Sequence, residues 1–299
     1  MRDFSFFFLL CFISFSQSKY SNDFLSIGLD SRSISMSNSV VANVSDLTAV
    51  FYNPAGLINV EPYCLIAGTT DLYGLNFLNH QFLSVSLPSN SAFSFQQLGT
   101  NSGGSSDKNL SSEKSISFSK AFYLLDDANS KLSIGYNVNG LIFYQAESAG
   151  VNGDGVGGLS SGETTVVGLD IGVHASLRDK ISFGAFIKNI NNPSIGKGSS
   201  SAPLPRRMDV GLTYNPFNGL FTTFAIEKVL GQDQSSFKFG IQYDIVESLS
   251  FRTGILMNPN RFGFGLSYKL NKIELSYSLL THHLLSASNL LSVKVSFDK

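Results

Sequence analysis

The chain has 299 residues, only 14% of them charged, and a formal net charge of −1. That balance excludes an electrostatic nucleic-acid binder, which needs a surplus of Lys and Arg against phosphates. Beyond residue 18 no apolar run reaches the 18 or so residues of a membrane helix. The Gly-, Ser- and Phe-rich composition suits strands and turns better than helices.

The N-terminus reads as a secretory signal over residues 1–18. Arg2 and the terminal amine form a thin basic region, Phe4–Phe15 an apolar core, and Ser16-Gln17-Ser18 a small-residue cleavage site before Lys19. Cys11 follows Leu10, which is too large for lipoprotein processing. Cleavage leaves Cys64 as the single cysteine, so no internal disulfide is expected and Cys64 reads as a small core hydrophobe.

Ala49–Leu57, "AVFYNPAGL", comes next. Proline disfavours helix in the residue before it. A short helix near Asp46–Tyr52, with Asp46 as its N-cap, therefore breaks at Asn53-Pro54, and the chain turns at Gly56 into the first strand.

From there the sequence alternates with period two. In 236–245, Phe237, Phe239, Ile241, Tyr243 and Ile245 share one face, and Ser236, Lys238, Gly240, Gln242 and Asp244 the other. About 14 such runs are expected, near 61–70, 79–87, 91–98, 114–124, 131–147, 163–177, 181–190, 206–214, 219–229, 236–245, 248–257, 261–269, 272–280 and 290–297. Every second connection is short. The long ones, Gly99–Glu113, Ser148–Gly162, Asn191–Pro205 and Thr281–Asn289, all fall at one end. An even number of strands with sorted connections is the pattern of an up-and-down antiparallel transmembrane β-barrel, short turns in the periplasm and long loops outside. The fold class is thus all-β.

Chemistry-bearing strings are few. Gly153–Gly158 matches GxGxxG and Gly158–Gly162 matches GxSxG, but neither is followed by the helix its chemistry requires. Asp154 between glycines is a weak calcium-loop candidate. His80, His174, His282 and His283 show no metal-ligand spacing. The chain reads as a non-enzyme with no metal and no cofactor.

Ile27–Pro62, "IGLDSRSISMSNSVVANVSDLTAVFYNPAGLINVEP", resembles the N-terminal signature of the long-chain fatty-acid porin (FadL-like) superfamily in its PorV/PorQ branch. Arg32, Met36, Ala42, Asp46, Ala49, Asn53, Pro54, Ala55, Gly56 and Leu57 fall in step with it. Ile187–Tyr214 and the C-terminal strands are similar to the family too. Ser37 and Ser39 depart from it, standing where the family has Gly and Ala. The chain also ends two residues beyond Phe297, where such barrels end on the aromatic.

The resemblance implies a 14-stranded barrel in the bacterial outer membrane, with residues 19–60 folded inward as a plug and 61–299 as the wall. Asp46, Asn53, Pro54, Ala55, Gly56 and Leu57 then form the plug motif, and Leu47, Val50 and Phe51 the ligand-facing plug surface. Implied partners are outer-membrane lipid, a hydrophobic small molecule and secretion-system proteins. Implied functions are passage of hydrophobic small molecules or type IX protein secretion, with a structural outer-membrane protein lacking a transport role as the alternative. A transporter should show apolar plug residues at the lumen and an opening in the wall; a secretion partner should present its long loops.

Overall fold

The structure, a computed structural model, describes residues 27–102, 109–151, 153, 157–159, 162–196 and 201–297. The expected signal peptide, Asp154 and Ser160 lie outside the described residues.

Fourteen antiparallel strands close into one barrel in chain order. They are β1 Cys64–Asp71, β2 Leu78–Leu87, β3 Ser91–Asn101, β4 Asn109–Asp126, β5 Ser130–Gln145, β6 Gly162–Leu177, β7 Ile181–Lys188, β8 Arg207–Tyr214, β9 Leu220–Val229, β10 Ser235–Val246, β11 Leu249–Met257, β12 Arg261–Leu270, β13 Ile273–Leu280 and β14 Ser288–Ser296. β1 pairs with β14 from Cys64↔Ser296 to Asp71↔Asn289, which removes both sheet edges. The register of neighbouring strands shifts only at Thr100/Asn101, Tyr123/Leu125 and Asp244/Val246. The expected runs correspond to these strands one for one, with ends displaced by a few residues. All the long connections lie at one end, as expected.

The two faces of the wall are inverted relative to a soluble protein. On β10, Phe239 is 44% exposed whereas Lys238 is 5% exposed. Phe237, Ile241, Tyr243 and Ile245 also point outward, and Gln242 inward. The same inversion holds on β12, where Phe262, Phe264, Leu266, Tyr268 and Leu270 all face out. Water would not tolerate so continuous an apolar surface, whereas acyl chains cover it at no cost, which is why membrane barrels alternate apolar-out and polar-in.

Residues Gly28 to Leu57 lie largely buried inside this wall, and the chain emerges at Asn59–Pro62, where Asn59, Glu61 and Pro62 are exposed. Here the structure corrects the sequence-based expectation of one helix from Asp46. There are two short helices, α1 Ser31–Ser35 and α2 Ala49–Tyr52, followed by a 3-10 segment Pro54–Asn59. Asp30 caps α1, its carboxylate accepting from the backbone N–H groups of Arg32 and Ser33. Thr48, not Asp46, is the N-cap of α2. Asp46 stands one turn outside and accepts from both the N–H and the hydroxyl of Thr48. Its carboxylate is drawn there by Arg32, as described below.

Candidate functional site: the plug and the space above it

Asn53 explains the abrupt helix stop. Its amide group serves three backbone groups at once: Oδ1 accepts from Ala55 N–H at 3.2 Å, and Nδ2 donates to Val41 O at 2.9 Å and to Val173 O at 3.0 Å. It thereby ends α2, caps the 3-10 segment and ties the plug to β6. Pro54 sits at the first turn of that segment, where its missing N–H is no loss. Ala55 and Leu57 are fully packed, and Gly56 lies so close to Val44 that a Cβ would overlap it. Replacing Asn53 by Ala removes a cap worth about 1 kcal/mol and leaves two buried carbonyls short of a donor. The expected result is faster hydrogen exchange over 41–60 in detergent or nanodiscs, with unchanged exchange in β8–β13.

The plug is pinned around the circumference. Ser133 Oγ donates to Ala55 O at 3.0 Å, Asn137 Nδ2 to Val50 O at 2.9 Å, and His174 Nε2 lies 3.2 Å from Ala42 O. Ser39 Oγ meets Thr223 Oγ1 at 2.7 Å. Ser37 takes a φ of 53°, the left-handed region that favours glycine.

A further tie to the wall is charge-assisted, and its cation is held by an ion pair within the plug. Arg32 Nη1 donates to Asn43 O at 2.9 Å and to Asp46 Oδ2 at 3.3 Å, and its Nε donates to Gln242 Oε1 of the wall at 3.1 Å. Gln242 Oε1 also accepts from Arg252 Nε at 3.2 Å, and Arg252 pairs with Glu274 at 3.6 Å. Burial alone would raise the Asp46 carboxyl, but Arg32, and after it Lys294, hold it below its ordinary value. Asp30 goes the other way: burial, then the nearby Asp46 charge, push it up to about 7.

At several of the closest approaches of the plug backbone, the wall residue is glycine. A Cβ at Gly135 would overlap Pro54 and Ala55, at Gly184 Val41, and at Gly254 Met36. Register pairs these positions with further glycines in three separate groups: Gly135↔Gly172, Gly184↔Gly211, and Gly240↔Gly254↔Gly263. Period-two alternation does not single these glycines out, although a Gly on the polar face of a strand is a signal of close backbone approach.

The expected ligand-facing residues divide. Leu47 and Val50 are buried in an apolar cluster with Ile66 and Phe82 of the wall. Phe51 stands edge-on to Phe82, with ring centroids 5.9 Å apart, and also reaches a water-sized cavity of about 30 Å³ beside Tyr52, Arg207 and Lys238. Above the plug is a vestibule of about 300 Å³ between Ile27, Ile34 and Asn38 on one side and β8–β13 on the other. Its wall is amphipathic, with Val229, Leu256 and Leu280 beside Arg207, Glu227 and Lys238. Lys238 is held by Asp209 at 2.9 Å and by Glu227 at 2.6 Å.

The connection after β7 also reaches into the upper lumen. Part of Asn191–Pro205, expected as an external loop, turns inward instead. Leu204 is buried with Leu141 and Phe143, and Ile195 packs against them. Strands β7 and β8 have 8 residues each against 16 in β5 and β6, so the wall is low there and the loop folds over its rim.

Of the histidines, His80 and His174 face the lumen, and His282 and His283 sit in the β13–β14 loop. Among the described residues no three His, Cys, Asp or Glu side chains converge as a metal site.

This combination, a closed 14-strand barrel sealed by its own N-terminal segment, is the FadL-type fold. The CymD monoaromatic hydrocarbon channel superimposes with a TM-score of 0.63 at 13% identity, over 91% of this chain and 98% of that one. The toluene transporter TodX of Pseudomonas putida gives 0.57 at 14% identity over 90% and 98%. A FadL homologue of Pseudomonas aeruginosa gives 0.54 at 11% over 89% and 97%. No sequence profile of a known family and no curated protein sequence matches the chain.

Proposed function

We propose that this protein is an outer-membrane barrel that admits small hydrophobic molecules past a movable plug. The observation that carries the reading is the amphipathic vestibule of about 300 Å³ that ends on the plug at Ile34 and Asn38. That volume is at the small end of ligand pockets. The fold shared with CymD and TodX supports the reading, as does the apolar outer belt, which calls for a bilayer. In this reading residues 1–18 are a signal peptide, 19–60 the plug and 61–299 the wall, with the long loops outside the cell. The protein is a conduit, not an enzyme, and needs no cofactor. Ile34 and Asn38 are the plug residues that meet the ligand first. Phe51, beside the small cavity below, meets it once the plug moves, and Leu47 and Val50 hold the back of the plug to the wall until then.

A second reading, a PorV/PorQ-branch role in type IX secretion with a protein partner, draws on the N-terminal string and on two further features. No lateral gap interrupts the strand pairing below the β7–β8 rim among the described residues. The loop end also carries a cluster of rings, with Tyr73 against His282 and His282 against His283, beside an 81% exposed Leu284. Aromatic anchors of this kind are what protein interfaces use.

Native mass spectrometry of the protein gently extracted from outer membranes separates the two. A retained apolar small molecule is the expected result. A retained protein partner without a small ligand overturns it in favour of secretion, and neither leaves a structural barrel.

A further inference from the structure

At the loop end of β14, β1 and β2 the outer wall passes from apolar to polar. On β14, β1 and β2 the register aligns the outward residues in rows: Val295, Leu65 and Val85, then Val293, Ala67 and Leu83. Above these come Leu291, Thr69 and Gln81, and at the loop end Asn289, Asp71 and Asn79. Successive rows are about 6–7 Å apart along the strands. The wall therefore passes from purely apolar to purely polar within three steps.

A pocket of about 340 Å³ opens sideways at that transition, beneath the β1–β2 connection. Leu291 and Leu75 give it an apolar side, and Asp71, Asn79, Asn289 and Thr69 a polar one. Tyr277 stands beside it, half-exposed, and its hydroxyl donates to Asn289 Oδ1 at 2.7 Å, which leaves that amide's nitrogen to donate outward. Asp71 and Asn79 make no side-chain hydrogen bond or ion pair among the described residues.

A pocket on the lipid side of a barrel is filled by lipid, and its chemistry selects the headgroup. No Lys or Arg lines it and Asp71 repels anions, so a phosphate is disfavoured. Three amides, a carboxylate and two threonines offer alternating donors and acceptors, beside an aromatic ring. Vicinal hydroxyls on a sugar ring satisfy that set.

We propose that this lateral pocket binds the uncharged sugar headgroup of a glycolipid, whose acyl chains run down over Leu291 and Val293. The proposal rests on the outer-membrane reading above.

The test places the purified protein in nanodiscs of phosphatidylethanolamine, phosphatidylglycerol and monoglucosyl diacylglycerol and reads the retained lipid by native mass spectrometry. The wild type should keep one glucolipid in preference to either phospholipid. Asp71→Ala/Asn79→Ala should lower that retention by about fivefold or more, as for the loss of one or two hydrogen bonds. Asp71→Asn, which keeps an acceptor, should lower it less. Preferential retention of either phospholipid, unchanged retention in the double variant, or a lipid-free dimer overturns the proposal. Insertion itself, read by heat-dependent gel mobility, is scored separately. Failure to insert sinks the membrane reading and this proposal with it, whereas insertion without glucolipid sinks this proposal alone.

Discussion

Gly254→Val is expected to open the barrel without unfolding it. A Cβ at Gly254 would overlap the backbone of Met36, which cannot yield as a flexible side-chain end could. The outer side of β11 is untouched, and the wall has thirteen other strands to hold it. Overpacking a close contact costs about 1–3 kcal/mol. Charged to the plug-in state alone, that multiplies the displaced population by about 5- to 150-fold. Single-channel conductance and swelling of proteoliposomes should rise accordingly, with heat-dependent gel mobility unchanged. Gly140→Ala is the control, because a Cβ there meets nothing nearer than Ile116 O at 3.7 Å. Equal conductance in the two variants would mean that the plug is not the barrier.

Arg32→Met should have the larger effect. Met keeps the aliphatic stem but removes the cation that pairs with Asp46 and reaches Gln242. The side chains of Arg32 and Asp46 are only 9% and 15% exposed. Breaking a buried pair from one side costs about 3–5 kcal/mol, because the remaining charge has no solvent to return to. Asp30 lies nearby and already resists ionisation, so Arg32→Met leaves two neighbouring carboxyl groups with only the more indirect charges of Arg252 and Lys294. Hydrogen exchange across 27–60 should accelerate by about a hundredfold or more, at about 1.4 kcal/mol per tenfold. Arg32→Met/Asp46→Asn should recover much of the loss, since the amide still accepts from Thr48 without needing a cation. If the double variant is as loose as the single one, Arg32 acts through packing against Asn43 and Gln242 and not through charge.

Strand number, strand phase and the sorting of connections were legible in the chain itself. The alternation Phe237-Phe239-Ile241-Tyr243 is a local property with period two, and it needs no knowledge of what lies across the barrel. The Asn53-Pro54 stop was legible for the same reason. Helix α1 was missed because its signal, Asp30 followed by Ser33, is brief and lies in a Ser-rich stretch where such spacings are common. The inward turn of Leu204 was missed because a Gly/Ser-rich connection looks external until the low rim of β7 and β8 is known.

What the sequence by itself determined is therefore the wall: fourteen strands, their apolar face and the end at which the long loops gather. Only the tertiary structure decided how the lumen is closed. Arg32 and Gln242 are 210 residues apart, and Gly254, on the eleventh strand, meets Met36 only once the fourteen strands have closed the circle. Local periodicity reports which way a side chain points. Which atoms it then meets across a lumen depends on register summed around the whole barrel, and no short stretch of this chain encodes that sum.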